Sequence, residues 1–539
     1  MRIDIKKILE EEINNVCFQL KKNVKFDVLP SEKGEFGDFY TNVALRIAES
    51  ENIPEKIAEI IKEKISPKLK GIIKKIEIRN GFINFFIDEN VYRENILKIA
   101  EEGEDYLKEN IGNNKKVLIE FVSANPTGPL TIAHGRQAAF GEALARILKF
   151  ANFNVIKEYY INNTGRQMEL LGESLKARYY QLKGTDYKFP EDGYIGEYLI
   201  EIAKKIDKVP LSDKNFFKNL AYREILKDIK KDLEDFGVTF DSWVEESEFV
   251  EKGDVEKILK ILKVKDLIYE KDGSLWFKSS IFGDDKDRVV VKSDGTYTYL
   301  ATDIAYHKYK IERGYEILIN IVGPDHHGYI PRLKAAVSAI GFNPENFIVL
   351  IVQLTTLYRG KEKLSMSTRK GQFITLKQLM EEIGSDASKF FFIFRKIDSH
   401  LDFDIEIAKK ESPQNPVYYL QYAYVRMKHL IEFGKEKGYE LKNIVPELNL
   451  LDKEEEIEII KKIWKFNDVI RGVINTYGVH LLAEYLLDIS KSFHSYYQKY
   501  RIVSDKKNLT YARLFLVKSL LSIFDLSLKL LNLTLPEKM

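Results

Sequence analysis

The chain has 539 residues but contains very little cysteine, proline or glycine. Its one cysteine, Cys17, cannot form an intramolecular disulfide or a site built from several thiolates. This excludes thiolate-bound structural zinc and favours a reducing compartment. With only 14 prolines and 30 glycines, the sequence is also unlike collagen or a globally disordered chain.

Long apolar runs and a strong net charge are missing as well. No window offers the roughly 20 uncharged apolar residues that a membrane span needs, and the first seven residues, MRIDIKK, lack the apolar stretch of a signal peptide. We therefore expect a soluble, cytoplasmic protein that does not use a membrane. Because 84 basic residues face 82 acidic ones, a nucleic-acid partner would have to be attracted by local patches.

The pattern of apolar residues predicts three domains. Residues 1–112 alternate between helical and strand patterns, with strands Ile72–Ile78 and Phe82–Ile87 around Asn80-Gly81, and predict a small α+β domain. Residues 113–408 predict a Rossmann-like domain, in which a charged helical insertion occupies about 168–271. Residues 409–539 predict an all-α bundle.

The parallel sheet of the second domain is predicted from short apolar runs that alternate with helical patterns such as Pro331–Ala339. The predicted strands are Val117–Val122, Leu275–Phe277, Arg288–Val291, Ile317–Val322 and Phe347–Val352. The predicted C-terminal helices are Pro416–Phe433, Glu454–Ile470, Leu481–Tyr500 and Thr510–Leu530.

The strongest local motif is SANPTGPLTIAHGR, residues 123–136, which lies between a buried strand and a helix. Unpaired N–H groups and the dipole at a helix N-terminus attract anions, so a phosphate is the expected occupant of this turn. His134, in the first turn, would stabilise charge on that phosphate. The alternative is that His134 is a structural hydrogen bonder.

Residues 125–130, NPTGPL, followed by His134-Gly135-Arg136, resemble the first signature of class I aminoacyl-tRNA synthetases in the form found in the arginyl-tRNA synthetase family. The resemblance continues in order along essentially the whole chain. Further similar segments are KEYYIN (157–162), GPDHHGYIPR (323–332), MSTRKG (366–371), NPVYYLQYA (415–423) and LPEKM (535–539).

The resemblance implies an arginine site made by Glu120 and Asp303, which grip the side chain, with Tyr299 beside it and Asn125 on the α-amino group. Read from the residues alone, a carboxylate such as Glu120 inside an apolar strand requires a cationic partner, either a basic residue of the chain or a ligand. If Tyr299 opens a helix, Asp303 lies one turn further on the same face. The alternative for these two is an ordinary surface pair.

For ATP, the resemblance points to two loops at the carboxyl ends of strands, where nucleotides bind in open α/β folds. The expected contacts are Gly128, Pro129, Thr131, His134, Gly323, Asp325, His326 and His327. Packing or capping is the alternative role for the adjacent histidines. We expect Mg²⁺ to enter with ATP, held by phosphates and water, and no structural metal.

The second class I signature corresponds to Ser365–Arg369, with Met366 and Ser367 near ATP, and both of its usual lysines are absent. Arg369, Lys370 or Lys363 would supply the positive charge that clamps the triphosphate. The first signature departs as well, because Thr131 replaces its usual first histidine and Ala133 its usual glycine. We expect His134, Thr131, Arg369 and Lys370 to form the catalytic set.

The resemblance implies an ATP-dependent ligase that forms arginyl-adenylate, needs bound tRNA to do so, and transfers arginine to the 3′ end of tRNA(Arg). We expect a monomer. The C-terminal bundle resembles an anticodon-binding domain whose Asp-Ala-Leu-Arg motif is degenerate here. The candidate RNA contacts are Tyr422, Arg426, Tyr496 and Arg501 in the bundle, and Phe36 and Asn42 in the N-terminal domain.

Two alternatives stay open, and the single cysteine argues against a third. The aromatic side chains around Phe36 would instead seal a small core. The altered signatures would also suit a synthetase-like protein that holds tRNA but forms no adenylate. A third possibility is another class I synthetase such as the cysteinyl type, but its zinc-thiolate selection is excluded by the single cysteine.

Overall fold

The computed structural model describes residues 4–31, 34–48, 54–210, 213–364 and 373–538. The chain forms two compact units, each assembled from three segments. The first unit comprises Met1–Lys108, Ala423–Asn467 and Lys491–Asp525, and the second comprises Glu109–Tyr422, Asp468–Ser490 and Leu526–Met539. The predicted domain boundaries after residues 112 and 408 stay predictions.

In its described residues, the N-terminal segment of the first unit contains a four-stranded antiparallel sheet in the order β1-β2-β4-β3 and five α-helices. The strands are β1 (Val28–Pro30), β2 (Phe39–Thr41), β3 (Ile73–Arg79) and β4 (Phe82–Ile87). The helices are α1 (Ile5–Gln19), α2 (Val43–Ala48), α3 (Pro54–Ile65), α4 (Glu89–Glu102) and α5 (Glu104–Leu107). Asn80 and Gly81 both have positive φ, 51° and 79°, as a tight hairpin turn requires. The predicted hairpin is confirmed.

The second unit is built on a five-stranded parallel sheet. The described strands of this unit, which include those of two smaller sheets, are β5 (Lys116–Glu120), β6 (Asn154–Ile161), β7 (Ser242–Glu245), β8 (Ile268–Lys271), β9 (Ser274–Phe277), β10 (Arg288–Val291), β11 (Ile317–Val322), β12 (Phe347–Ile351), β13 (Thr355–Arg359), β14 (Glu362–Lys363) and β15 (Leu401–Asp404). The parallel sheet has the order β12-β11-β5-β6-β7. A Rossmann-like parallel sheet was predicted, and this is confirmed.

Helices cover and connect these strands. They are α6 (Ile132–Phe150), α7 (Arg166–Leu182), α8 (Glu197–Lys204), α9 (Phe216–Asp235), α10 (Glu246–Glu251), α11 (Asp254–Val264), α12 (Tyr299–Glu312), α13 (Ile330–Ala339), α14 (Leu376–Ile383), α15 (Ser385–Phe394) and α16 (Ile405–Ala408). Short 3₁₀ helices occur at Gly34–Phe36, Ser279–Phe282, Pro324–Tyr329, Pro344–Asn346 and Leu448–Leu450. Helix α6 is buried over most of its length, because small side chains let it lie against β5; a Cβ on Gly141 would come within 2.5 Å of the Phe121 ring.

Two predictions for this domain were wrong, one about the strands of the parallel sheet and one about the helical insertion. Strands β9 and β10 do not join the parallel sheet but form a separate antiparallel sheet with β8. Short apolar runs carry no information on strand direction, whereas the Asp272-Gly273 turn between β8 and β9 was an available hairpin signal. The segment 168–271 is also not wholly helical, since it contains β8 and contributes β7 to the edge of the parallel sheet.

The C-terminal region is helical, as predicted. Its helices are α17 (Pro416–Glu436), α18 (Glu454–Trp464), α19 (Phe466–Thr476), α20 (His480–Lys499) and α21 (Lys507–Leu530). The predicted helix Glu454–Ile470 is in fact two helices. Among the helices of the described ranges, none has the length and apolarity to cross a membrane.

Residues 526–539 complete the second unit. The Lys389 ammonium donates to the carbonyl oxygen of Asn532 at 2.5 Å, and the Asn532 amide donates to the carbonyl oxygen of Gly237 at 3.0 Å. The Arg146 guanidinium donates to the carbonyl oxygen of Lys529 at 3.1 Å. The last described residues are therefore tied to the body that carries the parallel sheet.

Candidate active site

Three polar side chains stand side by side on the parallel sheet. The register pairs Glu120 of β5 with Asn320 of β11 on one side and with Glu158 of β6 on the other. Helix α12 lies over this row, and its fully buried Lys310 forms an ion pair with Glu120 and donates to Asn320 Oδ1 at 3.2 Å. Arg313, just after α12, forms an ion pair with Glu158. Of the two partners that the sequence left open for Glu120, a basic residue of the chain is present.

Both Glu120 oxygens are engaged. Lys310 binds Oε2, and the Ser123 hydroxyl donates to Oε1 at 3.1 Å. Ser123 Oγ in turn accepts the Tyr160 backbone N–H at 3.1 Å. Val122 and Ser123 have φ of 66° and 38°, a left-handed turn that carries the chain sharply away from the strand. Since each carboxylate oxygen has two lone pairs, Glu120 keeps acceptor capacity but its charge is already balanced.

The carboxylate of Asp303, unlike that of Glu120, has no basic partner in the described ranges. Helix α12 begins at Tyr299, as the sequence predicted, and Asp303 lies one turn later. Asp303 Oδ2 accepts the Tyr329 hydroxyl at 2.6 Å, and no basic residue of the described ranges forms an ion pair with it. Burial raises the pKa of Asp303 to about 7, and the charges of Glu120 and Glu246 act in the same direction. Glu120 and Asp303 therefore share one niche, as expected, but only Asp303 lacks a cation.

Tyr299 and Asn125 lie at the outer side of the site. The Tyr299 side chain opens α12 and is 67% exposed. Asn125 is exposed, and its amide donates to Gln167 Oε1 at 2.8 Å. The structure thus places both near the surface, whereas Glu120 and Asp303 lie deeper.

The 123–136 loop is held in place from several directions. The Ala124 carbonyl oxygen accepts the Tyr159 hydroxyl at 2.9 Å, and the Thr127 carbonyl oxygen accepts the Tyr198 hydroxyl at 2.5 Å. Gly128 lies against the same tyrosine, because a Cβ there would be 3.3 Å from the Tyr198 hydroxyl. The loop and its half-buried Gly128 and Pro129 lead directly into Thr131 and α6.

His134 takes part in capping α6, the structural role that the sequence left open. Its Nδ1 accepts the Thr131 backbone N–H at 3.1 Å and lies 3.2 Å from the Thr131 hydroxyl. Burial lowers the pKa of His134 to about 4, with the nearby Asp325 carboxylate opposing the change. The neutral ring therefore accepts at Nδ1 and carries its proton on Nε2, as a donor.

The 323–328 loop follows β11 and approaches the start of α6. A Cβ on Gly323 would lie 2.5 Å from Asp325 Oδ1 and 4.0 Å from the Gln137 amide nitrogen, so a side chain there would require the exposed Asp325 carboxylate to move. Asp325, His326 and His327 are exposed, which argues against a packing role for the two histidines. His326 Nε2 lies 3.6 Å from Asp325 Oδ2.

Met366, Ser367, Arg369 and Lys370 lie outside the described residues. The chain that follows them contacts the first signature, because Thr375 forms an antiparallel bridge with Thr131 and the Leu376 N–H donates to the Leu130 carbonyl oxygen at 2.8 Å. Two segments more than two hundred positions apart in the sequence are therefore adjacent at the N-terminus of α6.

The predicted RNA contacts differ in their surroundings. Phe36 is 37% exposed, with the Arg79 guanidinium 5.4 Å from its ring centre. Asn42, half-buried, precedes α2. Tyr422 is 39% exposed, Arg426 stacks on the Tyr497 ring at 4.3 Å, and Arg501 is exposed.

Tyr496 has to be corrected. Its side chain is fully buried, and its hydroxyl donates to Glu456 Oε1 at 3.1 Å in a network that includes Arg513. A side chain without exposed surface cannot stack on a base, so Tyr496 is a core residue in this structure.

Several important residues were missed in the sequence. Lys310 was not predicted, although it lies seven residues after Asp303, about two turns further along the same face of α12. Glu246 and Tyr160, which surround Asp303, were also missed as site residues. Arg136 is fully buried and donates to the carbonyl oxygens of four residues, so it holds structure together. Those residues are Gln353, Leu354, Lys396 and Ser399.

Comparison with known proteins agrees with this geometry. Residues 95–396 match the family described as tRNA synthetases class I (R), catalytic domain. Residues 420–539 match the DALR anticodon binding domain, and residues 4–87 match the arginyl tRNA synthetase N terminal domain. The domain that contains the parallel sheet is thus the catalytic domain of a class I aminoacyl-tRNA synthetase.

Relatives that match along nearly the full chain identify the family within this class. The arginine–tRNA ligase of Citrifermentans bemidjiense is 42% identical, over 94% of this chain and 93% of that protein. The arginine–tRNA ligase of Anoxybacillus flavithermus is 41% identical over 99% of both chains. The chain belongs to the arginyl-tRNA synthetase family. Its fold also resembles the Thermus thermophilus arginyl-tRNA synthetase structure, with a TM-score of 0.77 at 21% identity, over 99% of this chain and 100% of that one.

Proposed function

We propose that this chain is an arginine–tRNA ligase. The arginine carboxylate attacks the α-phosphorus of ATP, pyrophosphate leaves, and a terminal ribose hydroxyl of tRNA(Arg) then takes the arginyl group from the adenylate. The observation that carries the proposal is the half-buried Asp303, a carboxyl group without a basic partner in the described ranges, in the niche beside the first signature loop. A cationic substrate side chain supplies the missing charge.

Within this proposal, Asp303 supplies the negative charge that binds the arginine side chain. Glu120, already paired with Lys310, contributes acceptor lone pairs but no net charge. Tyr299 packs beside the substrate, and Asn125 holds its α-amino group. Leaving a buried carboxyl unpaired penalises uncharged analogues such as citrulline.

ATP binds between the two loops that meet at the start of α6. The neutral His134 donates from Nε2 to a phosphate oxygen, and Thr131 offers its hydroxyl. Gly128, Pro129 and Gly323 allow close approach to the backbone, and Asp325, His326 and His327 contact the nucleotide. Met366, Ser367, Arg369 and Lys370 complete the set by motif alone.

Magnesium enters as the ATP complex and is held mainly by phosphate and water oxygens. The described residues contain no group of three or more His, Cys, Asp or Glu side chains placed to hold a metal ion. The enzyme's own contribution is to position the reactants and to neutralise phosphate charge.

The proposal also covers the RNA partner, the oligomeric state and the cellular compartment. Tyr422 and Arg501, which are exposed, and the half-buried Arg426 contact the anticodon region, and Phe36 and Asn42 contact another part of tRNA(Arg). Activation of arginine requires bound tRNA, and the enzyme works as a cytoplasmic monomer.

Pyrophosphate exchange with each amino acid, measured with and without tRNA, tests the proposal. We expect exchange with arginine alone, and only when tRNA(Arg) is present. Exchange with a different amino acid would refute the assignment. Tight tRNA binding without any exchange would instead favour a protein that holds tRNA without activating an amino acid, as Thr131 and the missing lysines of the second signature suggested.

A further inference from the structure

The Tyr160 hydroxyl is shielded from solvent and has no hydrogen-bond partner in the described part of the chain. Its ring is fixed, because it stacks on Tyr306 with ring centres 4.3 Å apart, and its backbone N–H is bound by Ser123. A buried hydroxyl without a partner costs free energy, so such groups in native proteins call for an explanation. A bound ligand is one.

The groups around this hydroxyl are acidic. Burial raises the pKa of Tyr160 well above its ordinary value, and Glu246, Asp303 and Glu120 add to the effect. Glu246 directly follows β7, the strand that pairs with β6, so the carboxyl ends of these two strands bring it to Tyr160. The strand pairing therefore places Glu246 near Tyr160 independently of any effect on the pKa of the hydroxyl.

Glu246 is buried, and its carboxylate accepts the Thr164 hydroxyl at 2.9 Å. No basic residue of the described ranges forms an ion pair with it. Three carboxyl groups, Glu120, Asp303 and Glu246, thus share this niche with one lysine, Lys310. The niche has an excess of negative charge and an unused phenolic oxygen.

A guanidinium group fits these requirements. It is planar, permanently charged and carries five N–H donors that need acceptors in several directions. Asp303 alone cannot accept donors that point in several directions, and Glu120, each of whose oxygens already has one partner, keeps only part of its acceptor capacity. Resting on the proposed function, we propose that Tyr160 and Glu246 are specificity-determining residues of the arginine pocket, which accept guanidinium N–H donors beside Asp303.

The substitution Tyr160→Phe removes only the hydroxyl. We expect KM for arginine in tRNA-dependent pyrophosphate exchange to rise roughly tenfold or more, with KM for ATP and kcat within about twofold of wild type. The preference for arginine over lysine, as a ratio of kcat/KM, falls by a similar factor because lysine cannot use the phenolic acceptor. Glu246→Gln, which keeps an acceptor for Thr164, has the same effects.

Tyr269→Phe is the matched control, because it removes a hydroxyl that interacts with Asp287 in the antiparallel sheet. It should leave all these values unchanged. Melting temperatures and arginine-induced thermal shifts show that each variant is folded, and the shift should shrink in Tyr160→Phe. If Tyr160→Phe keeps the wild-type KM and selectivity for arginine, the hydroxyl is only an unpaired core group and the inference is wrong.

The failure of this inference is separable from failure of the proposed function. Wild-type enzyme that exchanges pyrophosphate with arginine keeps the proposed function, whatever the Tyr160 and Glu246 variants do. Wild-type enzyme without arginine-dependent exchange overturns both.

Discussion

The substitution Asp303→Asn should weaken arginine use and stabilise the free enzyme at the same time. Asparagine keeps the shape and can still accept the Tyr329 hydroxyl, but it removes the charge. The pKa of Asp303 is about 7, against an ordinary 3.8, which corresponds to at most about 4 kcal/mol. Because the side chain is only half-buried, solvent screening reduces this to about 1–2 kcal/mol.

The direction in which stability changes with pH follows from the number of protons bound by the folded and the unfolded state. Between pH 3.8 and about 7 the folded state keeps the proton that the unfolded chain has lost, so rising pH lowers the stability of the wild type through this window. The stability of the Asp303→Asn variant does not fall through this window, because asparagine does not titrate. Its melting temperature should exceed that of the wild type by a few degrees at pH 8 and equal it near pH 3.8.

The assay joins two measurements. Differential scanning fluorimetry at several pH values follows stability, and tRNA-dependent pyrophosphate exchange follows substrate use. We expect KM for arginine to rise about a hundredfold, the scale of a lost charged hydrogen bond, and KM for ATP to stay within about threefold. An unchanged KM for arginine would remove Asp303 from the pocket. A melting temperature lowered at pH 8 would refute the account of its uncompensated charge.

Three further predictions concern pH, a buried arginine and a glycine. KM for arginine in the wild type should fall about tenfold between pH 6 and pH 8 as Asp303 ionises, and exchange assays with Asp303→Asn should show a flat profile. Arg136→Lys loses most of the bonds to four carbonyl oxygens; chemical denaturation should show a loss of at least about 2 kcal/mol, and unchanged stability would contradict this. Gly141→Ala places a Cβ 2.5 Å from the Phe121 ring, so we expect a loss of about 1–3 kcal/mol, while Gly314→Ala, with no atom near its Cβ, tests the strain of its positive φ alone.

Much of the fold was accessible from local patterns. The β3–β4 hairpin followed from Asn80-Gly81, and β11 was predicted with its observed bounds, Ile317–Val322. Strand direction was not accessible in the same way, because β9 and β10 are as apolar as the strands of the parallel sheet. What distinguishes them is antiparallel pairing, of β10 with β9 and of β9 with β8, and periodicity does not describe such contacts between segments.

The same limit applies to the site. Helix α12 was predicted to begin at Tyr299, and it does. The partner of Glu120 was not predicted, because Lys310 is 190 residues away in the chain and meets it only where α12 packs against the parallel sheet. The prediction that Tyr496 contacts RNA was wrong for a related reason. An aromatic residue on an amphipathic helix has the same sequence signal whether it faces the core or RNA.

The interleaving of the two units has a consequence for synthesis on the ribosome. Residues 526–539 belong to the second unit, and Asn532 binds both Lys389 and Gly237. The parallel-sheet unit therefore cannot finish folding when its own central segment has emerged from the exit tunnel. It must wait, with its docking site for this segment exposed to chaperones, until nearly the whole of the remaining chain has been translated.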